Sequence, residues 1–381
     1  MAESGEVVQK KVFSLINSFG KLSAAALAKH VEIPQPSLGL ILKQLQYKDL
    51  IKTAGYGSST LKGGKRPMIW QINPNYGNML GLDVMPHAIR AVLVNMAGEG
   101  ILRVEKEFSP STPEKTISRI QNTIAEVLKE ASLKLKEPHY IAIALPGLVD
   151  PQSHRIVHSA SLGLTDFDLK SIIMNEFNIP TGIVKAANAG ALGIQWYGNR
   201  GNLSNNILYV IYNPIAGGLD LGLLINQRLY AGSKGMAGEV AHTICSLKEI
   251  VETKMAQYPT VKALIPLTNL SSLQISDIDT GMANGCRLST IVLEELIEQI
   301  ASELCRITAL FDPERIIIGG DVRILDFHSA SGITSKLSDC LSKAFRYGFK
   351  APMVERDHNA IFAIAKGATA MFLEEDKSLW L

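Results

Sequence analysis

The sequence predicts an α/β protein in two parts: an N-terminal winged helix-turn-helix and a larger domain made of two related halves. Three observations predict this. Basic residues concentrate before Tyr76. The same segment reads as two short helices joined by a tight turn, followed by a hairpin. Beyond Pro74 strand-like and helical runs alternate, and one strand-turn-strand pattern occurs twice.

At 381 residues the chain is too long for one ordinary core. Its 46% hydrophobic and 19% charged content suits a folded protein rather than a disordered one. No stretch reaches the roughly 18 consecutive apolar residues of a membrane span. The N-terminal run MAESGEVVQKK has no apolar signal region. A cytoplasmic protein with no membrane partner is expected. Cys245, Cys286, Cys305 and Cys340 form no C-x-x-C pair, which fits a reducing compartment and argues against a zinc knuckle. The net charge of +2 hides an asymmetry: up to Tyr76 ten basic residues face four acidic ones. A basic segment on a mildly acidic body suggests a polyanion partner, and a solvated surface is the alternative on charge alone.

Within residues 1–74, the expected DNA-binding domain, apolar positions from Val7 to Ile16 have helical spacing, and Gly20 breaks the run. Ser23 caps a short helix that buries Leu27. A second helix starts near Pro34 or Gln35 and carries Leu38, Ile41, Leu42 and Leu45; proline is tolerated in a first turn. Its N-terminal side chains, Gln35, Ser37 and Gly39, would enter the major groove of a double-stranded operator, with Lys43 near phosphate. Residues 51–53 and 68–72 alternate like strands, and the tip between them carries Lys62, Lys65 and Arg66, a basic wing.

In residues 75–381, strand-like runs are 79–84, 89–96, 140–147, 206–212, 222–230 and 315–320, with helices over 113–135 and 288–311. A strand-turn-strand pattern near residue 80 recurs from Ile207 to Leu229. Two related halves imply a cleft, the default ligand site. The expected lobes are 75–190 plus the C-terminal helix, and 191–360.

LPGLVD (145–150), SLGL (161–164), AANAGALG (186–193), LYAGSKGMAGEVAH (229–242) and IIIGGDV (316–322) resemble, in that order, the ROK family of sugar kinases and repressors. With the winged helix, and with KRP (65–67) where a Gly-Arg-Pro is usual, the chain is similar to its NagC/XylR-type repressor branch. The resemblance implies a duplicated actin-like, ribonuclease H-like sugar-kinase domain. It also implies a nucleoid-associated bacterial protein that represses carbohydrate uptake or catabolism genes.

Residue by residue, the chemistry of a ROK kinase is missing. The family's first phosphate turn is Asp-x-Gly-Gly-Thr; Asp83 remains, but Met85-Pro86-His87 replaces the rest and adds bulk where backbone must touch phosphate. Asp220 sits in the second glycine turn, where a carboxylate would repel a triphosphate. The catalytic Asp position is Ala186, which cannot accept a proton. Neither ATP nor zinc is expected, since only Cys245 follows His242 closely. The resemblance places Ser161, Lys185, Asn188, Glu239 and His242 at an effector site. Lys185 either holds an acidic effector such as a sugar phosphate or is a surface lysine paired with a neighbouring acid; His242 either contacts ligand or belongs to the core.

A homodimer or higher oligomer is expected, because one small reading head makes too few base contacts. The 288–311 helix presents mostly a core face, part of which could serve that dimer. Two alternatives stay open: a regulator controlled by a protein partner, with a vestigial sugar site, and an active sugar kinase fused to a DNA-binding head.

Overall fold

A computed structural model of the chain describes residues 5–31, 33–58, 66–107, 112–198, 204–240, 243–261, 267–321, 333–344, 351–357 and 361–380. In the N-terminal head, α1 (Gly5–Phe19) buries Val8, Val12, Phe13, Leu15 and Ile16, the face its spacing predicts. Gly20 ends it at φ 77°, a conformation that is strained for residues with a Cβ. β1 (Leu22–Ser23) leads into α2 (Ala24–Leu27), and the Ser23 hydroxyl accepts a hydrogen bond from the Ala26 amide at 3.1 Å. α3 (Gln35–Tyr47) has Pro36 in its first turn and buries Leu38, Leu42 and Leu45. The hairpin of β2 (Ile51–Tyr56) and β3 (Met68–Ile72) follows, and β3 is central in a three-stranded sheet, β1-β3-β2. The pairing of Leu22 with Trp70 is a feature that a two-residue strand is too short to announce. Lys62 and Lys65 lie outside the described residues.

The large domain starts with β4 (Asn78–Val84), β5 (Ala88–Asn95), β6 (Gly100–Glu107), α4 (Pro113–Leu133) and β7 (Pro138–Leu145). A small excursion, β8 (Leu148–Val149), β9 (Ile156–Ser159) and β10 (Leu164–Phe167), precedes α5 (Leu169–Phe177), β11 (Thr181–Lys185) and α6 (Ala186–Tyr197). The second half comprises β12 (Ile207–Tyr212), β13 (Leu219–Ile225), β14 (Arg228–Leu229), β15 (Glu239–Val240), α7 (Leu247–Gln257), α8 (Ile275–Ala283), α9 (Arg287–Phe311), β16 (Arg315–Ile318), α10 (Ile333–Ala344), β17 (Met353–Arg356) and α11 (Ala363–Glu375). The duplication is explicit in the sheets. One runs β11-β7-β4-β5-β6 and the other β17-β16-β12-β13-β14, each with an antiparallel hairpin (β4–β5, β12–β13) beside two parallel strands.

Two sequence expectations change. The run 222–230 is not one strand: Asn226 and Gln227 both take positive φ (53° and 60°), the conformation of a two-residue hairpin turn, and split it into β13 and β14. The expected lobe boundary at 190/191 falls inside α6, which runs unbroken and packs against α11, β12 and β13. Small residues permit this. A Cβ on Gly367 would run into the Ala189 carbonyl, and one on Gly222 into the Ala187 carbonyl, so α6 meets α11 and β13 at backbone distance. The face of α9 that carries Val292, Leu296, Ile300 and Leu304 is buried in the core of the second half.

The head is docked on the body. Phe13 of α1, Trp196 of α6 and Trp380 near the C-terminus form an aromatic cluster with centroids 5.5 to 6.1 Å apart. The last turns of α6 and α11 leave carbonyls without helical partners. Head side chains supply donors: Ser14 to Gln195 O at 3.3 Å, Asn17 to Trp196 O at 2.5 Å, and Lys10 to Glu374 O at 2.8 Å. Glu374 also accepts from the Trp196 indole at 2.8 Å. One hydrophobic cluster therefore runs from the head into the first half of the body. A Trp380→Ala variant is expected to lose about 3–5 kcal/mol of stability, the usual cost of truncating a buried tryptophan. Chemical unfolding against wild type checks this, and a loss below 1 kcal/mol would contradict the docking.

Candidate functional site

The N-terminal head presents one face of α3. Ser37, Leu40, Lys43, Gln44 and Tyr47 are exposed at spacings of three and four residues, one continuous stripe. Leu40 is 59% and Tyr47 93% exposed; neither stood out in the sequence, because their partners at 38, 42 and 45 take the inner face. Gly39 lies beside this stripe. A Cβ there would meet nothing within 4 Å, so neither sterics nor backbone conformation requires a glycine. Arg66 is exposed where the hairpin returns to β3, and Gln35 opens α3. Two of the basic residues counted toward the head are used internally: Lys10 pairs with Glu6 at 3.3 Å and Glu374 at 3.5 Å, and Lys48 donates to Leu379 O.

In the cleft of the large domain, the turn of Met85, Pro86 and His87 joins β4 to β5, and an ion cluster sits where a phosphate turn would open. Asp321, just past β16 in the other half, lies 3.4 Å from His87 and 3.6 Å from Arg90, and Arg90 also holds Glu105 at 2.8 Å. The space that Asp83, Arg90, Tyr209 and Asp357 line is about 20 Å³, room for about one water molecule. Asp83 is buried, and one carboxyl oxygen has no hydrogen-bond partner. Burial pushes its pKa to about 7, with Arg90 opposing the shift.

Lys185, the last residue of β11, is the centre of the second cluster. Its side chain is 1% exposed, and its ammonium reaches Asp220 at 2.8 Å, Glu239 at 3.4 Å and the Ala237 carbonyl at 2.9 Å. The Ala237 carbonyl accepts a hydrogen bond from it, and the two carboxylates are ion-pair partners. Asp220 and Glu239 are cross-strand partners on β13 and β15, a like-charge pair that needs a cation between them. Burial and Asp220 raise the Glu239 pKa, and Lys185 opposes them. Of the two readings of Lys185, the pairing with a neighbouring acid holds, but in the interior rather than at the surface. Asp220 likewise holds Lys185 rather than projecting toward a phosphate.

Of the other expected effector residues, Asn188 lies one turn into α6, 6% exposed, with its carboxamide oxygen unpartnered. Ser161 is half-buried in the turn Ala160–Leu162, and no hydrogen bond or ion pair joins it to Lys185 or Glu239 among the described residues. His242 lies outside the described residues. Among those residues no group of three or more His, Cys, Asp or Glu is placed to hold a metal, and no helix is long and apolar enough to cross a membrane. Cys305 and Cys340, distant in sequence, meet with sulfurs 2.8 Å apart.

Residues 79–375 match the model of the ROK family. The chain belongs to the ROK family. It is 28% identical over 320 residues to a xylose repressor of Caldicellulosiruptor bescii, covering 78% of this chain and 79% of that one. It is 24% identical over 378 residues to the DNA-binding transcriptional dual regulator NagC of Escherichia coli, covering 94% and 91%. Among solved structures, a ROK family transcriptional regulator, a homologue of the E. coli MLC protein, superposes with TM-score 0.69 at 18% identity, over 99% of this chain and 96% of its own. A ROK glucokinase from Streptomyces griseus, solved with glucose and AMPPNP, superposes with TM-score 0.62 at 19% identity over 77% of this chain and 99% of its own. The ROK fold thus covers the body, and the regulator's likeness extends along the whole chain.

Asp83 gives this ROK body a pH signature. With its pKa at about 7 in the fold against 3.8 otherwise, Asp83 keeps a proton that the unfolded chain releases. Its contribution to stability is full below about pH 4 and is lost as pH rises through 7, on the order of 4 kcal/mol in all. Asp83→Asn removes the titration. The variant's melting temperature should gain on wild type from about pH 4 to about pH 7 and then level off, and a gap independent of pH would contradict the assignment.

Proposed function

We propose that this ROK protein is a sequence-specific DNA-binding repressor of carbohydrate uptake or catabolism genes and performs no phosphoryl transfer. The observation that carries the reading is the outer face of α3. It is exposed along its length, and Gly39 beside it costs helix stability without serving any contact inside the protein. A side chain at that position would obstruct close approach of a groove. Gln35, Ser37 and Gly39 then face base edges, Leu40 suits a thymine methyl group, and Lys43, Arg66 and the wing residues Lys62 and Lys65 meet phosphates or the minor groove.

The cleft supports the non-enzymatic half of the reading. Ala186 stands where a ROK kinase has its base, Asp321 is tied across the phosphate turn, and Lys185 is bound between Asp220 and Glu239. An effector bound there would have to displace a buried ammonium from two carboxylates. No zinc or ATP is needed for this function. The names of the similar repressors make xylose and N-acetylglucosamine the first sugars to try. The protein acts in the cytoplasm as a homodimer on two half-sites.

Genome-wide DNA occupancy of the tagged protein tests the reading, compared with a Gln35→Ala/Arg66→Ala variant and with Gly39→Ala. Sharp peaks near sugar genes should vanish in the double variant. Gly39→Ala should stabilise the fold by about 0.5–1 kcal/mol and still lose occupancy. Peaks unchanged in all three proteins, or absent from wild type, would refute it.

A further inference from the structure

We propose that Cys305 and Cys340 form a reversible redox site, at which hydrogen peroxide converts the two thiols into a disulfide that locks α10 onto α9. This site is independent of the repressor reading. The two residues lie 35 positions apart in the chain and on different helices, yet their sulfurs stand 2.8 Å apart. A disulfide bond is about 2.05 Å long, so a combined movement of roughly 0.8 Å closes the gap. The core of the second half holds the helices at that spacing. Both cysteines pack against it, and their chain neighbours Leu304 and Leu341 are fully buried. No other two of the four cysteines are joined by a hydrogen bond among the described residues.

A small oxidant can reach the pair. Both cysteines are half-buried, and Arg306, Asp339 and Ser342 beside them are exposed. The two sulfurs have different surroundings. Burial and the hydrogen bond with Cys340 push the Cys305 thiol up to about 12, so Cys305 keeps its proton and suits the second step. Cys340 has Lys336 and Lys343 at i−4 and i+3 on α10, on its own side of the helix. Their positive charge stabilises the negative charge that develops on a peroxide oxygen as its O–O bond breaks. Cys340 is therefore the sulfur that meets the oxidant.

The Cys340 sulfur attacks one peroxide oxygen. An S–O bond forms, the O–O bond breaks, and the leaving oxygen takes the thiol proton and departs as water. The Cys305 sulfur then attacks the sulfenic sulfur. The S–S bond forms, the S–O bond breaks, and the hydroxide leaves with the Cys305 proton as a second water. Two thiols and one hydrogen peroxide thus give one disulfide and two waters, with two electrons passing from sulfur to oxygen. A free dithiol reverses the change by exchange. In a reducing compartment such a bond lasts only while oxidant is supplied, the behaviour of a sensor rather than a staple. The loop it closes contains β16 and Asp321, through which the second half reaches His87 and Arg90.

The test uses the full chain, fully reduced and then treated with one equivalent of hydrogen peroxide. Of its four thiols two should be lost, and peptide mapping should find Cys305 joined to Cys340 within one chain. Dithiothreitol should restore all four. Oxidation should raise the melting temperature by on the order of 5 °C, because the closed loop restricts the unfolded chain. Cys305→Ser should form no internal disulfide and should accumulate on Cys340 a sulfenic acid that dimedone traps. Cys340→Ser should accumulate about tenfold less on Cys305. Both variants, kept reduced, should melt within about 2 °C of wild type, which separates lost chemistry from lost folding. Four thiols surviving the peroxide, a linkage through Cys245 or Cys286, or an oxidised form that melts no higher would overturn the proposal. So would a sulfenic acid that forms on Cys305 rather than on Cys340.

Discussion

The rest of the structure depends on how the ends of two helices are closed. α6 and α11 run side by side through the body, and both end under the head. Their last carbonyls have no helical partners, and burying them bare would cost several kcal/mol. α1 supplies Ser14, Asn17 and Lys10 as the missing donors, with the lysine also suiting the negative end of a helix dipole. Phe13, Trp196 and Trp380 then exclude water around those bonds. The head is therefore not a bead on a linker; it completes the body's central helices.

That closure gives the kinase-like fold a new use. α6 begins at Ala186, beside Lys185 and the two carboxylates of the cleft, and ends at Tyr197 beneath the head. At the start of this helix the chain has an alanine and a buried ion triad. Such a triad adds little net stability, because desolvation offsets most of the attraction, but removing one member would strand a buried charge. It fixes the upper end of α6 while the aromatic cluster fixes the lower. A cavity of about 810 Å³ lined by residues of α1, α6, α11 and the β13–β14 turn lies against the same helix.

Much of this was legible in the sequence, and the rest failed for identifiable reasons. The long strands and the helices of 21 and 25 residues showed their periodicity, and the repeated strand-turn-strand emerged as two sheets of one topology. The cap at Ser23 and the entry at Pro34–Pro36 were readable because capping is local chemistry. What escaped was non-local. Nothing near Trp380 indicates that it stacks on Trp196, 184 positions away in the chain. Lys185 looked like a surface or ligand-facing cation because Asp220 and Glu239 come from distant strands. α6 was visible as a motif rather than a helix, since its small residues give no apolar periodicity, and Leu40 was indistinguishable from its buried neighbours by type alone.

The central claim is that head and body share one core. Differential scanning calorimetry of the full chain tests it most directly. A shared core predicts a single cooperative transition in which the head melts with the α6–α11 layer. Two separated transitions, one of a size fitting the head alone, would mean that the docking is not a structural bond and would contradict the account.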